Sequence, residues 1–548
     1  MPILFTTLVI LAVSAPVPFP APARPQTQEN QPTAAYYFLL GRHLEEQGRI
    51  EEAIAAHRQA IALDPDSAEL RAELAGLFAR QDRAREAVDM AREALARDRE
   101  NGEANHVLGS VLAAAAAQQR PIHPGENPST YAAEAVTALE RARAQNAGDL
   151  GLDLTLARLY LAQHQAAKAV PLLRGIVDEQ PGYAEGHLLL AQAQEESGAL
   201  SDAIRTLEAA TGDRPSFRAS VQLASLYERQ GRWLDAASAW GRALASNPDN
   251  SQVLARRAAA LINGGKAAEA RDLLAPSAAA ADADPGLQYM FGQAQRQAGD
   301  LKGAEATARA LRTAHPGDPR GTYLLTQVYM AADRFQEVLG VLQPEIERLR
   351  AAGAEGRDQL PLMLSSQGLA LQELHRSDEA IAALKEAVQL APDDTSFRYQ
   401  LGAIQDRAGR RDEAERTFRD LLAKDPLDAN ALNYIGYMLA EHGTRLDEAV
   451  DLIQRALKIE PGNPSFLDSL GWAYVQQGHL DLADQPLTDA ASRLPNNSVV
   501  QDHLGDLRMR QKRPADAIAA WQKALAGDGD SIDRAAIEKK IAAARAAR

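Results

Sequence analysis

From Ala34 onward, apolar residues recur at i, i+3, i+4 and i+7 in stretches of roughly a dozen residues, two stretches to every unit. That spacing lays one apolar stripe along each stretch and predicts a chain of paired amphipathic α-helices. Within a pair the stripe is interrupted by a short break holding Gly or Asp-Arg, as at Gly198, Gly231, Gly299 and Gly409. Gly suits the left-handed conformation that ends one helix and starts a tight turn. A Pro closes the second helix, because it lacks the N–H that a continuing helix needs. Pro181, Pro215 and Pro248 stand at steps of 34 and 33 residues, and Pro392, Pro426, Pro461 and Pro495 at steps of 34, 35 and 34. Twelve residues before such a Pro comes an Ala: Ala53, Ala169, Ala203, Ala236, Ala304, Ala380, Ala414, Ala449 and Ala483. Small residues in register let helices approach closely, so each unit reads as a helical hairpin nested on its neighbours.

A period near 34 residues with these small-residue, Ala and Pro places resembles the tetratricopeptide repeat. The register gives about fourteen units between residues 34 and 526. The resemblance implies an all-α, right-handed superhelical solenoid in which the first helix of each hairpin lines a concave groove. Three departures break the register. About fourteen extra residues around Arg120–Thr130 (RPIHPGENPST) form a Pro/Gly-rich loop inside the third unit. Extra Ala and Asp residues fall near 278–284. In the ninth unit Val338 replaces the Ala, and Pro344 to Pro361 lengthens its end. The last is expected to be a joint (344–360) between an N-terminal solenoid, 34–343, and a C-terminal one, 361–526. Residues 527–548 read as a capping helix with a basic tail, since the last repeat has no neighbour to cover it.

Composition agrees with thin stacked hairpins. Aromatics are only 5%, low for one large globular core. The net charge of −15 arises from 59 basic and 74 acidic residues with no basic block, so nucleic acid is an unexpected partner. There is no Cys, which excludes disulfides, thiolate metal sites and a lipid-bearing N-terminal cysteine. Ile3 to Val13 is an uncharged apolar run of signal-peptide length, with small residues at Ala21 and Ala23. A signal peptide over 1–23, a Pro-rich linker over 24–33 and export to the periplasm are expected. No basic residue precedes the run, so an uncleaved anchor, the one route to membrane association, and a cytoplasmic location stay open.

No catalytic or metal constellation stands out. The eleven His residues are scattered, Asp528-Gly529-Asp530 lacks the other ligands of a calcium loop, and no phosphate loop occurs. The expectation is a non-enzyme with no cofactor and no small-molecule substrate. Groove places implied by the resemblance fall on Asn433, Tyr434, Tyr437 and Glu441 in the twelfth unit. They fall on Asp468, Trp472 and Gln476 in the thirteenth, and on Asp502, His503, Asp506 and Arg510 in the fourteenth. Asn433 can bond both N–H and C=O of an extended peptide. Tyr437 and Trp472 offer anchoring area, while packing between repeats is the competing role for Tyr434, Trp472 and Tyr474. Lys and Arg are not arrayed there to grip a carboxylate tail, which favours a neutral or basic ligand. Arg158, Arg229 and Arg256 give the N-terminal half a mixed groove, so the halves are candidates for different partners.

The segment Asn430–Leu525, with NYIGYMLA, the extra residue in GTRLDEA, and LDSLGWAYVQQG, resembles the C-terminal repeats of a bacterial envelope family. That family includes outer-membrane lipoproteins that act as adaptors for carboxyl-terminal processing proteases. The resemblance implies docking of a protease and presentation of its substrates, although the lipid-bearing Cys is absent. The expected function is therefore a scaffold for protein or peptide partners in the envelope. The alternative is a structural or assembly component of secretion or polysaccharide export.

Overall fold

The computed structural model describes residues 32–210, 216–280, 283–528 and 532–546. The expected signal peptide and nearly all of the linker lie outside the described residues. Among those described there are 29 α-helices and no strand. In chain order they fall into fourteen successive pairs followed by one last helix, as the period predicts.

By contacts the chain divides into two units, Met1–Val253 and Leu254–Arg548. The first unit begins with α1 (Ala34–Glu46), α2 (Ile50–Leu63), α3 (Ala68–Arg80), α4 (Ala84–Leu95), α5 (Gly102–Ala117) and α6 (Tyr131–Gln145). It continues with α7 (Leu150–Ala162), α8 (Ala166–Glu179), α9 (Ala184–Glu196), α10 (Leu200–Ala210), α11 (Phe217–Arg229) and α12 (Trp233–Ser246). The division falls inside α13 (Ser251–Asn263). The second unit holds α14 (Ala267–Ala278), α15 (Pro285–Gln297), α16 (Leu301–Ala314), α17 (Pro319–Ala331), α18 (Phe335–Ala351) and α19 (Leu360–Glu373). Next come α20 (Ser377–Leu390), α21 (Thr395–Arg407), α22 (Arg411–Lys424), α23 (Ala429–Glu441) and α24 (Leu446–Ile459). The unit ends with α25 (Pro464–Gln477), α26 (Leu480–Arg493), α27 (Ser498–Arg510), α28 (Pro514–Ala526) and α29 (Arg534–Ala546).

The two helices of a hairpin start differently, and the sequence says why. Most first helices follow the Pro-containing turn and carry a side-chain cap: Ser67 accepts from Leu70 N–H, Asn101 from Ala104, Asp428 from Ala431 and Asn497 from Val500. Second helices follow the one-residue left-handed break, and nearly all lack such a cap. At Asp82 (φ 56°) and Asp333 (φ 55°) the break is not Gly. The Arg after the break packs alike at Gly and non-Gly breaks, Arg232 after Gly231 lying over Tyr227 at 4.4 Å. Arg83 lies over Phe78 at 4.8 Å and pairs with Glu86 at 2.8 Å, and Arg334 lies over Tyr329 at 4.3 Å and pairs with Glu337 at 3.0 Å.

The Ala twelve residues before the Pro is fully buried wherever the register places it, from Ala53, Ala169 and Ala236 to Ala380, Ala449 and Ala483. A second lock recurs sixteen residues after a Gly of the first helix. Leu384 packs against Gly368, Phe418 against Gly402, Leu487 against Gly471 and Trp521 against Gly505. Ile453 packs in the same way against Gly436, seventeen residues on because of the extra residue before α24. Each large side chain fills the space a Cβ would take, which fixes the two helices at close approach.

The irregularities resolve into packed structure. The insertion lies between α5 and α6, and it folds back on the preceding hairpin. Arg85 Nε donates to Ile122 O at 3.3 Å, His123 meets Asp89 at 3.0 Å, and the buried Ile122 N–H donates to Tyr131 Oη at 2.9 Å. The stretch 344–360, read as a joint, consists of the lengthened end of α18 and a 3-10 turn at Gly353–Gly356. Ile346 and Leu349 before it share an apolar cluster with Leu360 and Leu364 after it. Val338, in the place of the Ala, is fully buried. After the last pair comes α29, whose Ile537 and Ile541 share an apolar cluster with Trp521 and Ile518.

Candidate functional site

In the second unit the first helices α23, α25 and α27 lie side by side and carry most of the predicted groove residues. Asn433, Tyr434 and Tyr437 of α23, Ser465, Asp468 and Ser469 of α25, and Asn497 before α27 line a cleft of about 210 Å³. Asn433 is half-buried, and its Oδ1 is buried with no hydrogen-bond partner. A buried acceptor left unpaired costs about 1–3 kcal/mol.

The aromatic residues are more inward than groove contacts would be. Tyr434 stacks on Phe418 with ring centroids 4.4 Å apart, and its hydroxyl donates to Asp406 at 3.2 Å. Burial, then the Asp406 charge, holds that phenol protonated well above its ordinary range. Tyr437 is raised likewise, first by burial and then by the charges of Glu441 and Asp468. Trp472 is buried: its ring stacks on His503 at 4.2 Å and 12°, and its indole N–H donates to Glu441 Oε2 at 2.9 Å. His503 and Asp468 are buried too, with Nδ1 3.0 Å from the carboxylate. Burial alone would lower the His503 pKa, but the charge and hydrogen bond of Asp468, with Glu441 and Asp502 nearby, raise it. Trp472 and His503 therefore lie beneath the cleft, with Asp468 between them and its lining.

Gln476 is half-buried on α25, and Arg510 of α27 spends one guanidinium nitrogen on Val475 O at 2.8 Å. Asp502 and Asp506 are taken up from within the chain. Lys540 of α29 places its ammonium 2.9 Å from Asp502 and 2.8 Å from Asp506, while Trp521 donates to Asp506 at 3.1 Å. Burial, against the pull of Lys540, raises the Asp502 carboxyl. Sequence reasoning missed Lys540. The signal was available: two carboxylates at i, i+4 on one helix face next to a basic terminal helix.

Lys540→Met keeps the stem and removes the charge, leaving two half-buried carboxylates together. We expect it to cost the terminal cap about 2 kcal/mol, between exposed and buried ion pairs. Hydrogen exchange over 534–546 should speed up at pH 7, while exchange over 84–95 stays as in the parent. Equal exchange at pH 7 would show that the ion pair contributes nothing.

In the first unit Arg158 pairs with Glu185 at 2.7 Å and Arg229 pairs with Glu195, linking successive first helices. Glu185 and Glu195 border a separate cleft of about 410 Å³. Arg256 is exposed on α13. Among the described residues no group of three or more His, Asp or Glu is placed to hold a metal, and no helix is long and apolar enough to cross a membrane.

Hairpins in a 34-residue register with Gly and Ala locks define the tetratricopeptide-repeat class, and the chain belongs to it. Tetratricopeptide-repeat family models match residues 160–226, 221–286, 371–433 and 404–464, and a further TPR repeat model matches 41–82. A TPR repeat-containing protein of Pseudomonas aeruginosa is 32% identical over 203 residues, 36% of this chain and 33% of that protein. The cellulose synthase operon protein C of Xanthomonas axonopodis pv. citri is 28% identical over 263 residues, 45% of this chain and 17% of that protein. The match thus spans a third or less of these curated relatives. Among solved structures, YrrB, described as a TPR protein with an unusual peptide-binding site, is similar at 19% identity and TM-score 0.32. That match covers 36% of this chain and 96% of YrrB. Naa15/Naa10 bound to HypK-THB is similar at 15% identity and TM-score 0.38, covering 94% and 96%. The tetratricopeptide fold supports a protein-interaction scaffold, and proteins of this class bind protein or peptide partners.

Proposed function

We propose that this chain is a non-catalytic adaptor of the bacterial envelope that holds an extended polypeptide of neutral or basic character against α23, α25 and α27. One observation carries the reading: the unpaired, buried Oδ1 of Asn433 at the wall of the cleft. Rotation of the half-buried Asn433 side chain brings its amide to a strand lying in the cleft, where it accepts from one backbone N–H and donates to the next carbonyl. The cleft lining holds no Lys or Arg, so no cation stands there to grip a carboxylate. A preformed groove of rigid helices binds without ordering itself, which spares part of the entropy cost of association. The apolar run Ile3–Val13 and the small residues at Ala21 and Ala23 support export, and a protease with its substrates fits the resemblance of 430–525.

The binding test is selection of short peptides from a random displayed library, followed by anisotropy titration of synthetic hits. Asn433→Ala should weaken binding at least tenfold, about 1.4 kcal/mol, and neutral or basic peptides should dominate. No enrichment, or hits indifferent to Asn433, would sink the proposal. The N-terminal mass of the native protein tests export. The second reading, an assembly component of polysaccharide export, is favoured by the stretch shared with the Xanthomonas cellulose synthase operon protein. It predicts self-association in sedimentation at rising concentration.

A further inference from the structure

The first hairpin carries an anomaly that no other described hairpin shares. In its Gly lock the large side chain is His57, sixteen residues after Gly41, at the place that Leu384, Phe418, Leu487 and Trp521 occupy elsewhere. A Cβ on Gly41 would sit 2.7 Å from His57 Nε2, so the imidazole is what holds α1 and α2 together at their closest approach. His57 is fully buried, with Phe38 edge-on at 5.9 Å, and neither Nδ1 nor Nε2 has a hydrogen-bond partner.

Four charged groups face the ring, Arg42 and Glu45 from α1 and Glu73 and Arg80 from α3. They are paired with one another, Arg80 with Glu45 at 2.8 Å and Arg42 with Glu73 at 3.9 Å, and none bonds the imidazole. Burial pushes the His57 pKa down, and the opposed carboxylates and guanidinium groups do not restore it. A neutral ring fits this lock and an imidazolium does not. The hairpin is also open on one side among the described residues, with Tyr36 54% and Leu39 65% exposed on α1. α2 lies over α3, whose Leu74, Leu77 and Phe78 are all but fully buried.

We propose that hairpin α1–α2 is an acid-released end of the solenoid. Protonation of His57 expels the ring from the Gly41 lock, and the hairpin parts from α3. The direction follows from linkage. A side chain that is neutral in the fold but titrates near pH 6.5 when free stabilises the closed state above that pH and loses this as pH falls.

The test is hydrogen exchange by mass spectrometry on the whole chain at pH 7.5 and 5.0, corrected for intrinsic rates. The opening constant of 34–63 should rise by more than threefold and at most about 30-fold between these values, while that of 84–95 changes little. His57→Leu and His57→Phe reproduce the locks of the later hairpins, so at least one should fold, and each should hold the rise under about threefold. A parent rise under threefold overturns the proposal. A rise that persists in both variants also overturns it and assigns acid sensitivity to Glu45 and Glu73.

Discussion

Asp468→Ala is expected to destabilise the C-terminal hairpins by about 3 kcal/mol near pH 6, the low end for removing one partner of a buried pair. The low end applies because His503, once deprived of its carboxylate, can shed its proton. The pair is enclosed: both side chains are 8% exposed, Trp472 stacks on the imidazole, and Glu441 caps the indole. Because the folded His503 pKa is raised, its contribution is fully present below the unfolded value near 6.5 and is lost as pH rises through the folded value. The parent should therefore lose stability in this region on going from pH 6 upward, and Asp468→Ala should flatten that dependence. A solenoid need not unfold in one step, so the reading must be local. Hydrogen exchange over 464–526 serves, with 84–95 as the internal standard. Equal protection in parent and variant at pH 6, or parent protection that grows from pH 6 to 8, would refute the assignment.

Periodicity gave the fold because hairpin packing is a nearest-neighbour matter. Whether Ala53 or Ala449 is buried depends only on its own pair and the next, and those contacts repeat at a spacing that a linear sequence displays directly. That Asn433 and Asp468 stand on neighbouring first helices was legible for the same reason. Depth was not. Trp472 and His503 stack on each other across α25 and α27. How far a large ring sinks depends on the spacing of adjacent first helices, which leaves no mark in either sequence segment alone. Lys540 was missed because its partners lie 34 and 38 residues away on a helix outside the repeat register. His57 is the reverse case. Its position was in the register throughout, and comparison with Leu384 and Phe418 sixteen residues after their glycines marks it without coordinates.

Gly471→Val should destabilise the thirteenth hairpin by about 3 kcal/mol, the upper range for overpacking. A Cβ at 471 would stand 2.4 Å from Leu487 Cγ and 3.2 Å from the Leu487 backbone nitrogen. Leu487 is fully buried, so its side chain has no free volume to enter, and the backbone contact prevents relief by a rotamer change alone. The helices must separate, and that breaks the neighbouring contacts of α25 with α23 and α27, including the cleft around Asn433. The control is the same chemistry without the lock. Gly340 lies inside α18 with nothing within 4 Å of its added Cβ, so Gly340→Ala should stabilise by about 0.5–1 kcal/mol through helix propensity. Urea unfolding followed by circular dichroism, with exchange over 464–493 to localise the effect, distinguishes the two. If Gly471→Val were tolerated as well as Gly340→Ala, close helix approach would not be what holds these hairpins, and the lock inferred at Gly41 and His57 would lose its basis.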